Sequence, residues 1–244
     1  ELYLALTRRV WGSDFIIWPE TAIPALYSQV DKSFLEPLER EALAEGSRVL
    51  LGIPHYDQVE DSFYNAYLAL GEPRDLYFKR HLVPFGEFLP FKPLFGPLLD
   101  WIQIPMSDFS RGEAARPLLQ AGRWRLGVSI CYEDAFGEEV IQALPEADFL
   151  VNASNDGWFG DSLAPHQHLQ MARMRALESG RWMLRATNTG ISAVIDQFGR
   201  VVGRSPSFQV HVLRAEVPPM QGLTPYARWG NWVVISGLAL GLSL

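Results

Sequence analysis

The sequence predicts an α/β fold in which helices cover β-sheet. Short runs of β-branched and aromatic residues alternate along the chain with stretches whose apolar residues recur at helical spacing. The chain has 244 residues, of which 48% are hydrophobic, which is enough for one large domain or at most two small ones. Periodicity does not decide whether the strands form one sheet or two.

The first half of the chain contains four predicted strands and one predicted helix. The strands are residues 14–18, 48–53, 62–70 and 76–79, with a turn at 71–74 between the last two. A helix is expected over residues 33–46, because its leucines and Ala42 fall on one face and Gly46 can end it.

The second half continues the alternation. The predicted strands are residues 124–131, 149–153, 182–186 and 191–195, with edge strands expected within 203–217. A short helix is expected over residues 138–144. The clearest helix covers residues 166–178, where the apolar positions Leu169, Ala172, Met174, Ala176 and Leu177 alternate with arginines.

Residues 84–106 interrupt this alternation of strands and helices. They include five prolines, four phenylalanines and a tryptophan. Connections of this length are uncommon unless they have a function. The stretch could pack on the core, but its surplus of bulky apolar groups favours a lid that meets an apolar substrate or lipid.

The chain begins at Glu1 and ends inside an uncharged apolar run, residues 232–244. That run is shorter than the roughly 20 residues that a membrane-spanning helix needs. Aromatic and arginine residues such as Arg228 and Trp229 precede it, as at a membrane interface. We expect a catalytic domain at residues 1–221, then an interface segment and a truncated transmembrane helix at 222–244. The alternative is a buried C-terminal helix.

Composition excludes several functions. The net charge of -7 argues against binding of nucleic acid, which requires a basic face. A single cysteine permits no intramolecular disulfide. His166 and His168 lie two residues apart, on different faces of the predicted helix, so no metal site is expected. Neither a phosphate-binding GxxxxGKS loop nor a GxSxG nucleophile motif is present.

Three strand-like runs are followed by residues whose chemistry fits together. Glu20, Lys79 and Cys131 each stand at or just after such a run, where α/β sheets usually place their sites. A carboxylate can take the proton of a thiol, and the thiolate can then attack a carbonyl carbon. An ammonium group and a backbone N–H, such as that of Tyr132, can stabilise the resulting oxyanion.

Each of the three residues also has a purely structural interpretation. Glu20 could be a carboxylate at the start of a helix. Lys79 could be a surface charge at the end of a strand. Cys131 could be a small buried apolar residue, which is the usual role of a lone cysteine.

The segments around these residues resemble the nitrilase superfamily, whose members carry Glu, Lys and Cys in this order on an α-β-β-α sandwich. The chain is most similar to the apolipoprotein N-acyltransferases of that superfamily, over nearly its whole length. The similar segments are WPETAIP (18–24), KRHLVPFGEFLP (79–90), RGEAARP (111–117), ICYED (130–134), NASNDGWFG (152–160), HQHLQMARMRALE (166–178) and GLTPYARWGNW (222–232). The second and last of these look specific to the acyltransferases.

The resemblance implies roles for individual residues. Glu20 would be the general base, Lys79 the stabiliser of the oxyanion and Cys131 the nucleophile. The candidate substrate-binding residues are Glu87, Tyr132, Glu133 and Trp158. Asn155 and Asp156 match the same family loop as Trp158, without an assignable role. Arg175 and Glu178 match the family's helix, where we interpret them as an ion pair three residues apart.

The resemblance also implies a two-step reaction without a cofactor. Cys131 would take an acyl chain from a membrane phospholipid as a thioester, and the amine of a diacylglyceryl-cysteine on an apolipoprotein would then receive it. The expected protein is a monomeric, multi-pass protein of the bacterial inner membrane, with the catalytic domain on the periplasmic face. Two alternatives are an amidase or nitrile hydrolase of the same superfamily and an inactive module that holds lipids.

Overall fold

The computed structural model describes residues 1–88, 109–113 and 117–242. Contacts within the chain divide it into two compact units, Glu1–Ala115 and Arg116–Leu244. Each unit has its own β-sheet. Periodicity left open whether the strands form one sheet or two. In the structure, the described strands pair within two separate sheets.

The first unit has a four-stranded sheet in the order β1-β2-β3-β4. Its strands are β1 (Phe15–Ile17), β2 (Arg48–Asp57), β3 (Ser62–Leu70) and β4 (Asp75–Phe78). Its helices are α1 (Leu2–Thr7), α2 (Tyr27–Val30) and α3 (Glu36–Ala44), with a π-helical turn at Asp31–Leu35 before α3. β1 pairs parallel with β2, whereas the other neighbouring strands pair antiparallel.

The predicted elements of the first unit are confirmed with shifted ends. The predicted helix at 33–46 is found as the π-helical turn and α3, and its apolar face buries Leu35, Leu38 and Ala42. β2 runs four residues further than predicted, to Asp57, because its distal part pairs with the start of β3. Sequence analysis did not predict α1 or α2.

β3 lies in the core of the first unit. Every residue from Tyr64 to Leu70 is buried, as expected of a strand covered on both faces. The Tyr67 hydroxyl donates a hydrogen bond of 2.7 Å to the carbonyl oxygen of Trp18, and burial raises its pKa. This bond connects the centre of the sheet to the segment that leads from β1 to Glu20.

The second unit has a six-stranded sheet in the order β10-β9-β8-β7-β6-β5. Its strands are β5 (Leu118–Ala121), β6 (Trp124–Ile130), β7 (Phe149–Ser154), β8 (Met183–Thr187), β9 (Ala193–Ile195) and β10 (Val201–Arg204). Its helices are α4 (Gly137–Val140), α5 (Ala164–Ser179), α6 (Pro225–Trp229) and α7 (Trp232–Gly241). The central strands β6, β7 and β8 are parallel, and the outer pairs are antiparallel.

Three predictions in the second unit need correction. β6 ends at Ile130, and Cys131 begins a 3₁₀ turn, Cys131–Ala135, instead of ending the strand. The helix expected at 138–144 is shorter and passes into a 3₁₀ turn at Ile141–Ala143. The edge strands expected within 203–217 reduce to β10, because Pro206 lacks a backbone N–H for a strand ladder.

α5 confirms the clearest helix prediction. It buries Leu169, Ala172 and Ala176 against the sheet, in one cluster with residues of β7, β8 and β9. Met174 and Leu177 instead lie on its outer side, 47% and 46% exposed. The helix ends at Gly180, whose φ of 63° is the left-handed conformation common after a helix.

α7 is apolar and lies on the surface. Every residue that the structure describes from 232 to 242 is exposed, so the alternative of a buried C-terminal helix is wrong. Among the described residues, no helix combines the length and apolar character needed to cross a bilayer. Of the predicted lid at 84–106, residues 89–106 lie outside the described residues.

Candidate active site

Glu20 lies where the chain continues alongside β2 after the end of β1. The backbone N–H of Trp18 donates to Leu50 O, and that of Gly52 donates to Pro19 O, at 2.8 and 3.2 Å. These bonds fix the segment, and Glu20 is only 6% exposed. The interpretation of Glu20 as a helix-start carboxylate is wrong, because the next helix, α2, begins only at Tyr27.

Lys79 follows directly on β4 and points into the first unit. Its backbone N–H donates to Asn65 O on β3 at 2.8 Å, which continues the pairing of these strands by one residue. The side chain is 1% exposed, so the interpretation of Lys79 as a surface charge is wrong. Its Nζ lies 3.2 Å from Glu20 Oε1 and 2.9 Å from Glu87 Oε1.

Asn65 completes this cluster, and sequence analysis missed it. Its Nδ2 donates to Glu20 Oε1 at 2.7 Å and to Glu87 Oε1 at 2.8 Å. One ammonium and one amide therefore hold two carboxylates in fixed positions, which offsets much of the cost of burying their charges. Asn65 lies inside a strand without a motif around it, so only the pairing of β3 with β4 reveals its role.

A tight turn holds Glu87. The backbone N–H groups of Gly86 and Glu87 both donate to Val83 O, while Val83 N–H donates to Glu87 Oε2 at 2.8 Å. Phe85 adopts a φ of 63° at the tip of this turn. The structure thus brings three predicted site residues of the first unit together, namely Glu20, Lys79 and Glu87.

Cys131 stands at the transition from β6 to the 3₁₀ turn in the second unit. Its φ is 50°, a left-handed conformation that costs a residue other than glycine roughly 1–2 kcal/mol. A buried core cysteine does not require this conformation, whereas strained backbone of this kind is common at functional sites. Cys131 is 9% exposed.

The other candidate residues near Cys131 in sequence differ in their surroundings. Glu133 is buried and its Oε2 accepts a 2.7 Å hydrogen bond from Ile130 N–H, so it caps the turn. Tyr132 is 40% exposed and packs edge-on against Phe136. Trp158 is 76% exposed on the 3₁₀ turn that follows β7. Their roles in substrate binding stay predictions.

A buried network of charged and polar residues contacts the turn that begins at Cys131, and sequence analysis did not predict it. Its members are Asp134, Asn152, Asp156, His168 and Arg185, all of them buried. Arg185 lies 3.3 Å from Asp134 Oδ2 and 3.1 Å from Asp156 Oδ2. His168 lies 3.0 Å from Asp156 Oδ1 through Nδ1 and 3.0 Å from Asp134 Oδ1 through Nε2.

The network shifts the pKa values of two of its members in opposite directions. Burial lowers the pKa of His168, but the charge of Asp134 and the hydrogen bonds to Asp134 and Asp156 outweigh it and raise the pKa to about 9. Burial raises the pKa of Asp156, but the hydrogen bond from His168 and the charge of Arg185 outweigh it and lower the pKa to about 2. Both residues are therefore charged at neutral pH.

The predicted ion pair on α5 is confirmed. Arg175 NH2 lies 2.8 Å from Glu178 Oε2. Arg175 also donates to the carbonyl oxygens of Asp134 and Ala135, at 3.3 and 3.1 Å. Arg175 therefore also stabilises the end of the turn that begins at Cys131. The helical spacing alone did not indicate this contact.

A known protein family matches residues in both units of the chain. The model of the carbon-nitrogen hydrolase family matches residues 1–226. Among solved structures, yeast Nit3 (Saccharomyces cerevisiae), a member of branch 10 of the nitrilase superfamily, has a TM-score of 0.64 at 18% identity, covering 85% of this chain and 79% of Nit3. A CN-hydrolase superfamily protein of Xanthomonas campestris has a TM-score of 0.59 at 17% identity, covering 97% of this chain and 88% of that protein. These similarities confirm the predicted nitrilase-like α/β sandwich.

Curated relatives with higher identity are named apolipoprotein N-acyltransferase. The chain is 54% identical to that of Methylococcus capsulatus over 242 residues, which cover 99% of this chain and 48% of the relative. It is 46% identical to that of Azotobacter vinelandii over 243 residues, which cover 98% of this chain and 47% of the relative. The resemblance to these acyltransferases is confirmed, and the chain spans about half the length of the relatives.

Proposed function

We propose that this chain, which belongs to the carbon-nitrogen hydrolase family, is the catalytic part of an enzyme that transfers an acyl chain from a phospholipid to the N-terminal amine of diacylglyceryl-cysteine on apolipoproteins. Glu20, Lys79 and Cys131 are the catalytic residues. Glu87, Tyr132, Glu133 and Trp158 contribute to binding or orienting the substrates.

The first half-reaction forms a thioester. Glu20 takes the proton of the Cys131 thiol, and the sulfur attacks the ester carbonyl carbon of the phospholipid. Lys79 stabilises the negative charge on the carbonyl oxygen. When the intermediate collapses, the bond to the glycerol oxygen breaks, Glu20 returns its proton to that oxygen, and a lysophospholipid leaves.

The second half-reaction transfers the acyl chain to nitrogen. The free amine of the lipoprotein attacks the thioester carbonyl, and Glu20 removes a proton from the nitrogen. The carbon–sulfur bond then breaks, an amide is released, and the thiolate of Cys131 recovers the proton from Glu20. Neither step requires a metal ion or an organic cofactor.

The geometry of the first unit supports these roles. A base must be held in place without being neutralised, and Glu20 is held by hydrogen bonds from Asn65 and Lys79. An oxyanion stabiliser must be fixed before the charge develops. Lys79 meets this requirement, since two carboxylates restrain its buried ammonium group.

One observation favours acyl transfer over hydrolysis. The relatives that match nearly the whole chain at 54% and 46% identity are named as acyltransferases. The surface of the C-terminal helix agrees with a membrane enzyme, because Trp232, Leu238 and Leu240 are 72%, 63% and 70% exposed. We propose that the enzyme is a monomer of the bacterial inner membrane, with α7 as the start of a transmembrane helix and the catalytic domain facing the periplasm.

The test uses the complete gene product purified in detergent. Incubation with phospholipid alone should add the mass of one acyl chain, as measured by intact mass spectrometry. The adduct should be absent in Cys131→Ala, and a diacylglyceryl-cysteine peptide should discharge it from the wild type as an N-acylated peptide.

Two other outcomes would favour the alternatives. An enzyme that forms no adduct with phospholipid but hydrolyses simple amides or nitriles is a hydrolase of the same family. A protein that binds phospholipid equally well with Cys131→Ala, and that turns over neither class of substrate, is a lipid-holding module.

A further inference from the structure

The left-handed backbone of Cys131 requires partners that hold it in place. The carbonyl oxygen of Cys131 accepts two side-chain hydrogen bonds, at 3.3 Å from Asn152 Nδ2 and at 3.2 Å from His168 Nε2. Asn152 lies on β7 and His168 on α5. Donors from two different elements therefore meet at the peptide group that follows the candidate nucleophile.

We propose that His168 is a positioning residue that, as a doubly protonated imidazolium between Asp134 and Asp156, holds the carbonyl group of Cys131 and thereby the turn that presents the thiol. This inference rests on the proposed function, in which Cys131 is the nucleophile.

The hydrogen-bond partners of His168 require both ring nitrogens to donate. Nδ1 faces Asp156 Oδ1 at 3.0 Å. Nε2 faces Cys131 O at 3.2 Å, with Asp134 Oδ1 3.0 Å away. Ionised carboxylates and carbonyl groups only accept hydrogen bonds, so a neutral imidazole would direct the lone pair of one nitrogen at an oxygen. The charged ring donates one hydrogen bond from each nitrogen, to Asp156 Oδ1 and to Cys131 O, and Asp134 Oδ1 faces it as an ion-pair partner.

Charge balance within the network favours the same form. The groups that face the ring are Asp134 from the turn after β6, Asp156 from the turn after β7 and Arg185 from β8. Two buried carboxylates and one guanidinium leave one negative charge, which the imidazolium neutralises. The raised pKa of His168, about 9, agrees with this assignment.

Arg185 also fixes the second donor to Cys131. It donates to Asn152 Oδ1, so the amide nitrogen of Asn152 must face the opposite way. That nitrogen contacts Ser129 Oγ at 2.9 Å and Cys131 O at 3.3 Å. Both donors to the Cys131 carbonyl are therefore oriented by the same buried charges.

The consequence for the reaction concerns the position of the sulfur atom. Without the bond from His168, the strained turn can relax and move the thiol away from its place of attack. A displacement of about 1 Å can lower a rate by roughly 100-fold. Loss of positioning should therefore slow thioester formation and leave the affinity for phospholipid nearly unchanged.

Two matched variants separate this role from a general loss of structure. His168→Gln places an amide nitrogen near the position of Nε2 and can still donate to Cys131 O. His168→Asn places it near the position of Nδ1 and can reach only Asp156. Both variants remove the same charge and each keeps one hydrogen bond of the ring, so the comparison asks whether the bond to Cys131 or the bond to Asp156 matters for acylation.

The experiment measures single-turnover acylation of Cys131 by phospholipid in the complete gene product, across a range of lipid concentrations and well below the unfolding temperature. We expect His168→Asn to slow the saturated rate by about 10- to 100-fold. His168→Gln should recover most of that loss, and the half-saturating lipid concentration should stay within about threefold. Leu169→Ala, which opens a cavity in the core beside His168, is the control that lowers stability without slowing acylation.

Three results would overturn the positioning role. They are equal rates for wild type and His168→Asn, equal slowing of both His168 variants, and slowing of Leu169→Ala to the same extent. If the wild type takes up no acyl group, the proposed function fails. Alkylation of Cys131 by iodoacetamide then tests positioning by itself, because His168→Asn should differ from wild type several-fold and His168→Gln should not.

Discussion

Gly52 on β2 lies against the backbone of Glu20. A Cβ atom at position 52 would lie 2.7 Å from Glu20 Cα and 2.4 Å from Thr21 N, closer than nonbonded atoms approach. The absence of a side chain on Gly52 therefore allows the segment after β1 to run close to β2. The backbone N–H of Gly52 also donates to Pro19 O, which aligns the two segments at the candidate base.

Gly52→Ala should therefore move Glu20. Because backbone, not a flexible side chain, occupies the space of the new methyl group, we expect slower thioester formation by roughly 10- to 100-fold and a loss of about 1–3 kcal/mol in unfolding free energy. Single-turnover acylation and urea unfolding measure the two effects. Gly71→Ala is the matched control, since its new methyl group would meet the flexible side chain of Arg48, at 3.0 Å, instead of backbone. An unchanged acylation rate for Gly52→Ala would contradict the placement of Glu20.

Removal of the Lys79 charge should lower stability and abolish acylation, and a second substitution should recover stability without recovering acylation. Lys79→Met leaves Glu20 and Glu87 close together without a cation, so we expect a loss of about 3–5 kcal/mol in unfolding free energy. Adding Glu87→Gln removes one of the two carboxylates and should recover part of that loss. Acylation should stay absent in both variants, because neither has an ammonium group to stabilise the oxyanion. A double variant no more stable than Lys79→Met would show that the carboxylates do not repel each other.

Stability should depend on pH through His168. Its pKa rises from 6.5 to about 9 on folding. The stabilisation is therefore complete below pH 6.5 and is lost as the pH rises through 9, an effect on the order of 3 kcal/mol. Urea unfolding at several pH values between 6 and 10 should show the stability of the wild type falling relative to His168→Gln. A difference independent of pH would mean that folding does not raise the pKa of His168.

Arg181 should hold the segment that leads to α6. Its buried guanidinium donates to the carbonyl oxygens of Ala147 at 2.7 Å and Gly222 at 2.9 Å, and so connects residue 222 to the segment that precedes β7. We expect Arg181→Met to lower the unfolding free energy by about 2–5 kcal/mol, because it leaves several buried acceptors without donors. Limited proteolysis should then cut between residues 205 and 221 faster than in the wild type. Cleavage at an unchanged rate would show that this segment is held by other contacts.

The sequence predicted those elements whose signal is local. β3 and α5 have patterns that extend over many residues, and their predicted and observed ranges nearly coincide. β5 was missed because it has only four residues and depends on pairing with β6. The edge strands expected within 203–217 reduced to β10, because Pro206 has no backbone N–H to donate to a neighbouring strand.

The residues of the candidate site also divide into those with a local sequence signal and those that only tertiary contacts reveal. Glu20, Lys79 and Cys131 were predicted because each follows a strand-like run and because their chemistry fits together. Asn65 and His168 were not, since a polar residue inside a strand or helix has no pattern that reveals its partner. His168 was considered only as a metal ligand, and the structure instead places it between two carboxylates.

By itself, the sequence determined the fold class, the order of most strands and helices, and the candidate residues for the proposed thioester chemistry. The tertiary structure decided that the described strands form two sheets, that Asn65 joins Lys79 in holding two carboxylates, and that buried charges surround the turn at Cys131. The physical reason is distance along the chain. Periodicity and capping act over a few residues, whereas the ion pairs of Arg185 join residues 29 and 51 positions apart.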